Sequence, residues 1–457
     1  MAISRETIEK KNFWYNTLKP YVDFVTKIYF RTTVHNYHKV PKNDIIIYTP
    51  NHQNALMDAL AILATVDTQP VFLARADIFK KKPIEKILTF LKILPIYRIR
   101  DGKESLKNNE AVFQKTVDVL KNKNGLVILP EGSHAGLRKL RTLKKGISRI
   151  AFEAEEANDF KLNIKIIPVG LDWTNYINFR SRLFVNYGEP IHVSDYYEEY
   201  KKNPPRGLNL LRERVAEELK KYMIHIESNE FYEMFNQLRY LYLPQMIKKL
   251  GFKTSKQPNN FYAQKSIIAQ LDRFVENNKE EAEILNKKTL KYADLLKKLK
   301  FRHWVIQKGK FKVPCLIAQS LLATVLFPLF LVGAILNYLP YKIPVWATKK
   351  VKDPQFISSF RNVIALIVFP VYYIILAVVG ILVFTPWWMI LIILLTIPFA
   401  GLFAFHYFIE AKKLFAMFRY NFKTWFKSKD LMELKLLYHQ IIEKMDEVTG
   451  ETNNTYR

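Results

Sequence analysis

A histidine and an aspartate stand close together in the stretch YTPNHQNALMDALAI, which covers residues 48–62. His52 follows the apolar run DIIIY and a proline, and Asp58 lies six positions further on, in a segment of helical pattern at residues 55–66. His52 therefore falls on a predicted strand-to-helix turn. A carboxylate bound to one imidazole nitrogen fixes the tautomer and makes the other nitrogen a usable base.

The spacing alone leaves two interpretations of His52 open. Residues six apart lie on different faces of a straight helix, so His52 and Asp58 meet only if His52 precedes the helix and curls over its start. If they do not meet, His52 is a capping or core histidine.

A second polar group follows the apolar run GLVIL, in the stretch LPEGSHAGLRKL. Glu131, Gly132 and Ser133 come directly after this predicted strand. Glycine allows close approach to the backbone, and exposed N–H groups in a loop bind anions. Basic residues follow at Arg138, Lys139, Arg141, Lys144 and Lys145. The segment is typical of an anion site, or of a turn followed by a solvated basic face.

Two other strand ends carry residues of interest. In LPIYRIRDG, Arg98 and Arg100 stand at the end of a predicted strand, and arginine is suited to bidentate phosphate recognition. In IIPVGLDW, Pro168 lies near the end of another predicted strand. Taken by itself, that last run is typical of a sheet core.

Short apolar runs alternate with helical patterns through the amino-terminal half of the chain. The predicted strands are DIIIYTP, PVFLAR, LPIYRI, GLVILPEG, IKIIPVGL and LFVNYGEPIHV, with helical segments between them. This alternation predicts an α/β fold with a mainly parallel sheet covered by helices, which we assign to residues 41–226. Ligands then bind where strands end and loops begin. A charged helical region follows at residues 227–312.

Two long stretches lack Asp, Glu, Lys and Arg, at residues 313–341 and 362–409, within a predicted membrane region of 313–410. A membrane span needs about 20 apolar residues, so the second stretch predicts a helical hairpin that turns at Pro386. Pro328 divides the first stretch, which predicts one kinked span or a re-entrant segment. The flanks of both stretches are basic. The positive-inside rule then favours an even number of crossings, with these flanks in the cytoplasm.

Both ends of the chain have amphipathic helical patterns. Residues 1–40 repeat apolar and aromatic residues at helical spacing between Phe13 and Tyr29, which predicts a helix packed on the next domain or lying in the membrane interface. Residues 411–457 contain LMELKLLYHQIIEKMDEV, which predicts a helix packed on a partner element or lying on a surface.

The charge balance indicates an anionic partner. The 457 residues include 70 Lys and Arg against 42 Asp and Glu, a formal net charge of +28, which favours acidic lipid, phosphorylated substrates or nucleic acid. Nucleic acid is the weakest of these because the membrane segments already give the basic surface a partner. The single cysteine excludes a disulfide within the chain, and the scattered histidines predict no metal site.

In this order, the four motifs resemble the blocks of the glycerol-phosphate and lysophosphatidate acyltransferase family. NHQNALMD corresponds to the family's His-x4-Asp pair, LPIYRIR to its second block, LPEGSH to Pro-Glu-Gly-Thr-Arg, and IIPVG to its apolar fourth block. Among the departures, five residues separate His52 from Asp58, and His134 replaces the arginine of the third block. The resemblance covers about residues 40–225.

The resemblance implies acyl transfer from a thioester, on coenzyme A or acyl carrier protein, to a glycerol-phosphate-type hydroxyl in phospholipid synthesis. By matched position, His52 is the implied general base, Asp58 its orienting partner and Arg100 the residue that holds the acceptor phosphate. Glu131 and Gly132 are implied to shape the acceptor site. Further candidates for substrate binding are Arg98, Ser133, His134, Arg138 and Arg141. No cofactor is implied beyond the thioester co-substrate.

The resemblance and the membrane segments together predict where the protein works. We expect a protein of the cytoplasmic (inner) membrane, with the catalytic domain facing the cytoplasm. Its expected partners are membrane lipids and the thioester donor, and one form of this donor is an acidic acyl carrier protein. Nucleic acid is not an expected partner. Two alternatives stay open. One is acylation of a lysophospholipid or another headgroup. The other is a non-catalytic protein that binds lipid phosphates, which predicts that His52 and Asp58 do not touch.

Overall fold

The computed structural model describes residues 7–97, 108–254, 256–383 and 387–450. The chain divides into two compact units. The first comprises Met1–His225 together with Thr348–Val363, and the second comprises Ile226–Ala347 together with Ile364–Arg457. Residues 348–363 lie within the predicted membrane region, and the grouping of this short segment with the amino-terminal half of the chain is not predicted from the sequence.

The first unit alternates strands and helices. Its strands are β1 (Arg31–His35), β2 (Ile46–Pro50), β3 (Val71–Arg75), β4 (Ile93–Ile96), β5 (Leu126–Val127), β6 (Lys165–Trp173), β7 (Arg182–Tyr187) and β8 (Ile191–His192). Its helices are α1 (Phe13–Tyr29), α2 (Leu56–Leu63), α3 (Lys82–Phe90), α4 (Asn108–Lys121), α5 (Gly146–Glu156), α6 (Tyr197–Lys202) and α7 (Pro204–Tyr222).

The strands form one mixed sheet in the order β1-β7-β6-β2-β5-β3-β4, with β8 beside β6. Neighbours along this order pair in parallel, except that β6 pairs antiparallel with β7; β8 is also antiparallel to β6. The mainly parallel, helix-covered sheet predicted from the alternation of apolar runs is therefore confirmed. β2 lies between β5 and β6, which places the residues after Pro50 at the centre of the sheet's carboxyl edge.

The central strands are buried on both faces. Successive residues of β2 enter two different apolar clusters: Ile47 joins one with Ile166, and Tyr48 joins the other with Ile167. This follows from the two-residue period of a strand, whose side chains point alternately to opposite faces. A parallel strand covered by helices on both sides is apolar throughout, which is why DIIIY has no polar alternation.

Helix α1 and strand β1 lie in the amino-terminal region assigned to residues 1–40. The helix predicted from the spacing between Phe13 and Tyr29 is present as α1, and it leaves Phe13 and Trp14 exposed. Strand β1 was not predicted. Its residues are half-exposed or exposed because it lies at the sheet edge and pairs along one side with β7. An edge strand therefore lacks the apolar run by which the central strands are recognised.

The second unit is helical. Its helices are α8 (Tyr232–Leu241), α9 (Leu243–Lys249), α10 (Gln257–Asn277), α11 (Lys279–Leu299), α12 (His303–Lys308), α13 (Val313–Ala347), α15 (Trp387–Trp425) and α16 (Lys429–Val448). A further helix, α14 (Pro354–Val383), begins in the first unit and continues in the second. Helix α16 packs on α11 with ion pairs such as Lys298–Asp430 at 2.8 Å.

In the described part of the chain, three helical segments are long and apolar enough to cross a membrane: Val313–Ala347, Gln355–Leu382 and Leu394–Trp425. The first forms a single helix that includes Pro328, so the chain does not reverse at that proline, as a re-entrant hairpin centred there would require. The predicted turn at Pro386 lies outside the described residues. Buried polar groups join these helices, since Asn337 donates to the Ile397 carbonyl at 3.1 Å and accepts from the Tyr373 hydroxyl at 2.8 Å.

Gly170 should be intolerant of any side chain. A methyl group at this position in β6 would overlap the backbone carbonyl of Tyr222, at the end of α7. We expect Gly170→Ala to destabilise the protein by about 1–3 kcal/mol or more, because overpacking forces the backbone to shift. Gly146→Ala is the matched control, since nothing lies within 4 Å of its added carbon. Thermal unfolding in detergent should show a lower midpoint for Gly170→Ala only, and equal midpoints would contradict this packing.

Candidate active site

His52 lies in the turn between β2 and α2, and Asn51 anchors that turn to the neighbouring strand. The Asn51 side chain donates to the Leu171 carbonyl at 3.1 Å and accepts from the Leu171 N–H at 2.6 Å. Asn51 is fully buried and thus substitutes for a strand partner where β2 ends. This two-way amide contact holds the start of the turn on β6 and fixes where His52 leaves the sheet.

His52 and Asp58 are in direct contact. The distance from His52 Nδ1 to Asp58 Oδ2 is 2.9 Å, with the histidine side chain 12% exposed and the aspartate fully buried. Because an ionised carboxylate only accepts hydrogen bonds, Nδ1 must be the donor. In the neutral ring this leaves Nε2 as the nitrogen that can accept a proton. This contact counts against the non-catalytic alternative, which predicts that the two side chains do not touch.

Asp58 collects donors from three directions besides His52. Its Oδ2 accepts from the backbone N–H groups of Gln53 at 2.7 Å and Asn54 at 2.6 Å, and its Oδ1 accepts from Trp173 Nε1 at 2.9 Å. A fully buried carboxylate needs such compensation, because burying a charge without partners is very unfavourable. The aspartate therefore fixes the turn, the imidazole and the end of β6 together.

The turn absorbs the residue that lengthens the histidine–aspartate spacing relative to the family pattern. Ala55 has φ 44° and ψ −126°, a conformation that a side-chain-bearing residue rarely adopts. It stands directly before α2 and lets the chain curl so that His52 lies over the start of the helix. Strain of this kind costs about 1–3 kcal/mol and persists only where surrounding contacts impose it, and the Asp58 hydrogen bonds supply that constraint.

Glu131 ties the loop after β5 to the histidine turn. Its two carboxylate oxygens accept from different backbone N–H groups, Oε1 from His52 at 2.7 Å and Oε2 from Arg141 at 3.0 Å. Burial raises the pKa of Glu131 to about 7, although both N–H donors and the nearby His52 act in the opposite direction. The nearby Asp58 carboxylate raises it further.

An exposed basic loop adjoins Glu131. Gly132 has φ 68°, in the region that favours glycine, and an added Cβ would lie 3.3 Å from Lys144 Cγ. Ser133 Oγ accepts from Arg141 Nη1 at 2.7 Å. Arg141 and Lys144 are both exposed, so their charges are available to an anion. The structure thus brings Glu131, Gly132, Ser133 and Arg141 into one loop, as the sequence order expects.

Arg138 lies in the interior, which differs from the substrate-binding role predicted for it. Its guanidinium is 3.6 Å from Asp172, donates to the Trp173 carbonyl and lies 5.4 Å over the Tyr176 ring. Because a buried arginine with a carboxylate, a carbonyl and a ring around it is already compensated, we infer a structural role for Arg138. Arg98 and Arg100 lie outside the described residues.

His134 lies beside His52 and contacts residues far away in the sequence. The two imidazole rings are 5.3 Å apart between centroids in an edge-to-face arrangement. His134 Nε2 lies 3.0 Å from Asp353 Oδ2, and its ring meets that of Phe356 at 4.8 Å. Asp353 and Phe356 were not predicted as site residues. Asp353 is a carboxylate among lysines between two apolar stretches, which is the one sequence signal that could have singled it out.

Comparison with known proteins identifies the segment that contains this site. The family model described as Acyltransferase matches residues 31–172. This segment is similar to the acyltransferase family. The predicted resemblance is thereby confirmed for the part of the chain that carries His52, Asp58 and Glu131.

Two curated yeast proteins are similar to this chain. Glycerol-3-phosphate O-acyltransferase 2 of Saccharomyces cerevisiae is 24% identical over 288 residues, which are 59% of this chain and 38% of the yeast protein. Glycerol-3-phosphate O-acyltransferase 1 of the same yeast is 25% identical over 146 residues, 31% of this chain and 19% of the yeast protein. The chain thus spans well under half the length of these relatives.

A solved structure is also similar in part. The crystal structure of the 1-acyl-sn-glycerophosphate acyltransferase from Thermotoga maritima matches with a TM-score of 0.33 and 20% identity. The match covers 48% of this chain and 83% of the crystallised chain.

Replacing Glu131 should flatten the pH dependence of stability. The folded protein holds a proton on Glu131 up to about pH 7, whereas an unfolded glutamate releases it near its ordinary pKa of 4.5. Stability from this group is therefore fully present below pH 4.5 and lost as the pH rises to about 7. We expect the thermal midpoint of the wild type to fall between pH 5 and 8, and to fall less in Glu131→Gln.

An exposed glutamate on α7 serves as the control for this comparison. Glu217→Gln removes a carboxylate from the protein surface, where protonation is not coupled to burial. Its midpoint should follow the wild-type slope. Parallel slopes for Glu131→Gln and the wild type would contradict the raised pKa of Glu131.

Proposed function

We propose that the chain is a membrane-bound O-acyltransferase that moves a fatty acyl group from a thioester to the hydroxyl of a glycerol-phosphate-type acceptor. The observation that carries this proposal is the contact between His52 Nδ1 and Asp58 Oδ2, at 2.9 Å, in the turn after β2. An unactivated hydroxyl needs a positioned base, and histidine is the usual one near neutral pH. The names of the two yeast relatives support the choice of acceptor class.

In the proposed reaction, His52 Nε2 takes the proton of the acceptor hydroxyl as its oxygen attacks the thioester carbonyl carbon. The resulting tetrahedral intermediate collapses, the carbon–sulfur bond breaks, and the thiolate leaves with the proton from His52. The products are an ester and a thiol, and the imidazole returns to its starting state. Asp58 keeps Nδ1 protonated and stabilises the imidazolium between the two steps. Positioned proton transfer of this kind typically contributes about 10²–10⁴-fold in rate.

The exposed loop after β5 is the proposed site of the acceptor phosphate. Arg141 and Lys144 supply positive charge, and Gly132 leaves the backbone open to close approach. Ser133 is held by Arg141 and adds a hydroxyl. Glu131 joins this loop to His52 through hydrogen bonds, so a phosphate bound to the loop is held in a fixed position relative to the proposed base. Arg98 and Arg100 remain candidates for the same role.

The acyl donor is proposed to be coenzyme A or acyl carrier protein, and both suit the charge of the chain. The net charge of +28 favours the phosphates of coenzyme A and equally an acidic carrier protein. Long acyl chains partition into lipid, and the three apolar helical segments keep the enzyme at the membrane where its substrates and products reside.

We also propose that the catalytic domain faces the cytoplasm and that both basic flanks of the membrane helices lie on its side. In the first unit, Asp353 contacts His134, so residues 348–363 lie on the side of the catalytic residues. In the second unit, Lys298 pairs with Asp430, so residues after Trp425 lie on the side of helix α11. Between α7 and α11 the sequence has no charge-free stretch long enough to cross a membrane. On this proposal the helices after residue 312 make an even number of crossings in total.

His52→Ala should abolish acyl transfer while the protein still folds and stays in the membrane. We expect the rate to fall by about 10²–10⁴-fold, since the change removes the base but no buried core group. The assay supplies labelled acyl thioester with glycerol-3-phosphate, its 1-acyl form or dihydroxyacetone phosphate. His192→Ala is the control, because His192 is an exposed histidine in β8.

The outcomes of this assay separate the possibilities. Wild-type turnover that survives in His52→Ala would refute the base assignment. Turnover with none of these three acceptors, but with a lysophospholipid that carries a further headgroup, would move the acceptor class to the headgroup alternative. Failure of the wild type with every thioester and acceptor, in a folded preparation, would reject acyl transfer in favour of lipid binding.

Cysteine labelling tests the proposed topology. In a Cys315→Ala background, single cysteines at Lys350 and Lys427 should both react with an impermeant maleimide from the same side of sealed vesicles, because both lie beside elements of the catalytic side. A cysteine at Asp195, on the catalytic domain, marks that side. Reaction of both cysteines from the side opposite to that of the Asp195 cysteine would establish an odd number of crossings.

A further inference from the structure

The segment Thr348–Val363 joins two apolar helices, yet it belongs to the same compact unit as the histidine turn. It begins directly after α13 and includes the first residues of α14. More than 200 residues separate it from His134 along the sequence, the hydrogen bond between His134 and Asp353 having a separation of 219. A connection between membrane helices that had no role in the site would need only to be polar and solvated.

Two neighbouring side chains of this segment hold the His134 ring. Asp353 Oδ2 is 3.0 Å from Nε2, and the Phe356 ring meets the imidazole edge-to-face at 4.8 Å. The side chain of His134 is 13% exposed as a result. Because a carboxylate only accepts, Nε2 is the donor nitrogen of His134, and in the neutral ring Nδ1 is left as an acceptor. The carboxylate thus selects one tautomer, as Asp58 does for His52.

A third side chain of the segment reaches the turn that holds His52. Ser358 Oγ donates to Asn54 Oδ1 at 3.0 Å, and both residues are fully buried. The backbone N–H of Asn54 in turn donates to Asp58 Oδ2 at 2.6 Å. One helical turn beyond Ser358, Asn362 is also fully buried, and within the described residues its side-chain amide has no hydrogen-bond partner. Plain packing would favour an apolar side chain there, since an unpaired buried amide is unfavourable.

The charge of Asp353 bears on what His134 can bind. Burial alone would raise the pKa of Asp353, but the hydrogen bonds from His134 and from the Gln355 N–H outweigh it and hold the pKa below its ordinary value. The carboxylate is therefore ionised at neutral pH and repels a phosphate. His134 is consequently poorly placed to replace the phosphate-binding arginine of the family pattern, while its Nδ1 suits a neutral hydroxyl group.

We propose that the 348–363 segment completes the acyltransferase site and that Asp353 is a positioning residue for His134. It orients the ring so that Nδ1 accepts a hydrogen bond from a hydroxyl of the acceptor, next to the base His52. This inference rests on the proposed acyl-transfer function and extends it. The segment from the membrane region then determines how the acceptor alcohol lies, and the exposed loop around Arg141 holds its phosphate.

A double-mutant cycle on steady-state kinetics tests the proposal. We expect Asp353→Asn to raise the acceptor KM, and so lower kcat/KM for the acceptor, by about 10–100-fold, the range for a hydrogen bond to a charged group. The thioester KM should stay unchanged. His134→Gln should have a similar effect, and the double variant should be no worse than His134→Gln, because Asp353 acts through that ring. Lys352→Gln and Asp430→Asn control for charge in the same segment and for carboxylate loss elsewhere.

A second measurement does not depend on catalysis. Carbethoxylation of His134 by diethylpyrocarbonate, followed by peptide mass spectrometry, reports how well the ring is covered. Removal of either covering group, in Phe356→Ala or Asp353→Ala, should accelerate this modification several-fold relative to the wild type and to Lys352→Gln. The protein is used as the full chain in detergent, with its fold checked by thermal unfolding.

The two measurements separate failure of the proposal from failure of the proposed function. Kinetics of Asp353→Asn equal to those of the controls, in an active enzyme, would overturn the positioning role and leave acyl transfer intact. Additive losses in the double variant would also overturn it. Unchanged modification of His134 in both covering variants would overturn the contact itself. Faster modification in the two covering variants, together with a wild type that transfers no acyl group, would support the contact and reject the acyl-transfer function.

Discussion

The structure of the site depends on one buried carboxylate, Asp58, whose oxygens must all be hydrogen-bonded because they are out of contact with water. Asp58 accepts from the His52 ring, from the Gln53 and Asn54 N–H groups and from the Trp173 indole. Because an unpaired buried charge costs more than the protein's marginal stability can tolerate, these four donors must come together in the folded state. The strained turn, the orientation of the imidazole and the end of β6 are all consequences of that requirement. The orientation of His52, the proposed base, thus follows from the pairing of this buried carboxylate.

The surroundings of His52 include both cations and an anion. Glu131 is a second buried carboxyl group, and it accepts hydrogen bonds from the backbone N–H groups of His52 and Arg141. These bonds hold the loop that bears the exposed cations Arg141 and Lys144. Beside His52, the ring of His134 stands next to Asp353, an anion. An acceptor with a phosphate at one end and hydroxyls at the other would be oriented by these two environments before any specific contact is made. That polarity favours a phosphate near the β5 loop and an alcohol near the two imidazoles.

The parts of the fold that the sequence predicts are those whose physical cause is local. The central strands must be apolar on both faces, so their runs are recognisable, and the turn after β2 follows from the end of such a run. The sequence predicts the contact between His52 and Asp58 only conditionally, because the two side chains can meet only if His52 precedes the helix. The edge strand β1 escapes the same reasoning because it needs no apolar face, and Ala55 gives no sign of its positive φ.

What the sequence could not predict is whatever depends on two distant segments meeting. Arg138 has the sequence context of an anion ligand, and only the presence of Asp172 and Tyr176 around it makes it a buried structural group. Asp353 likewise has the context of a charged loop between membrane helices, where the positive-inside rule accounts for its lysine neighbours but for no carboxylate. The fold gives this carboxylate a hydrogen-bond partner from a distant part of the sequence, the ring of His134. Residues that contradict the electrostatic pattern of their own segment are therefore where a sequence best indicates an unseen long-range contact.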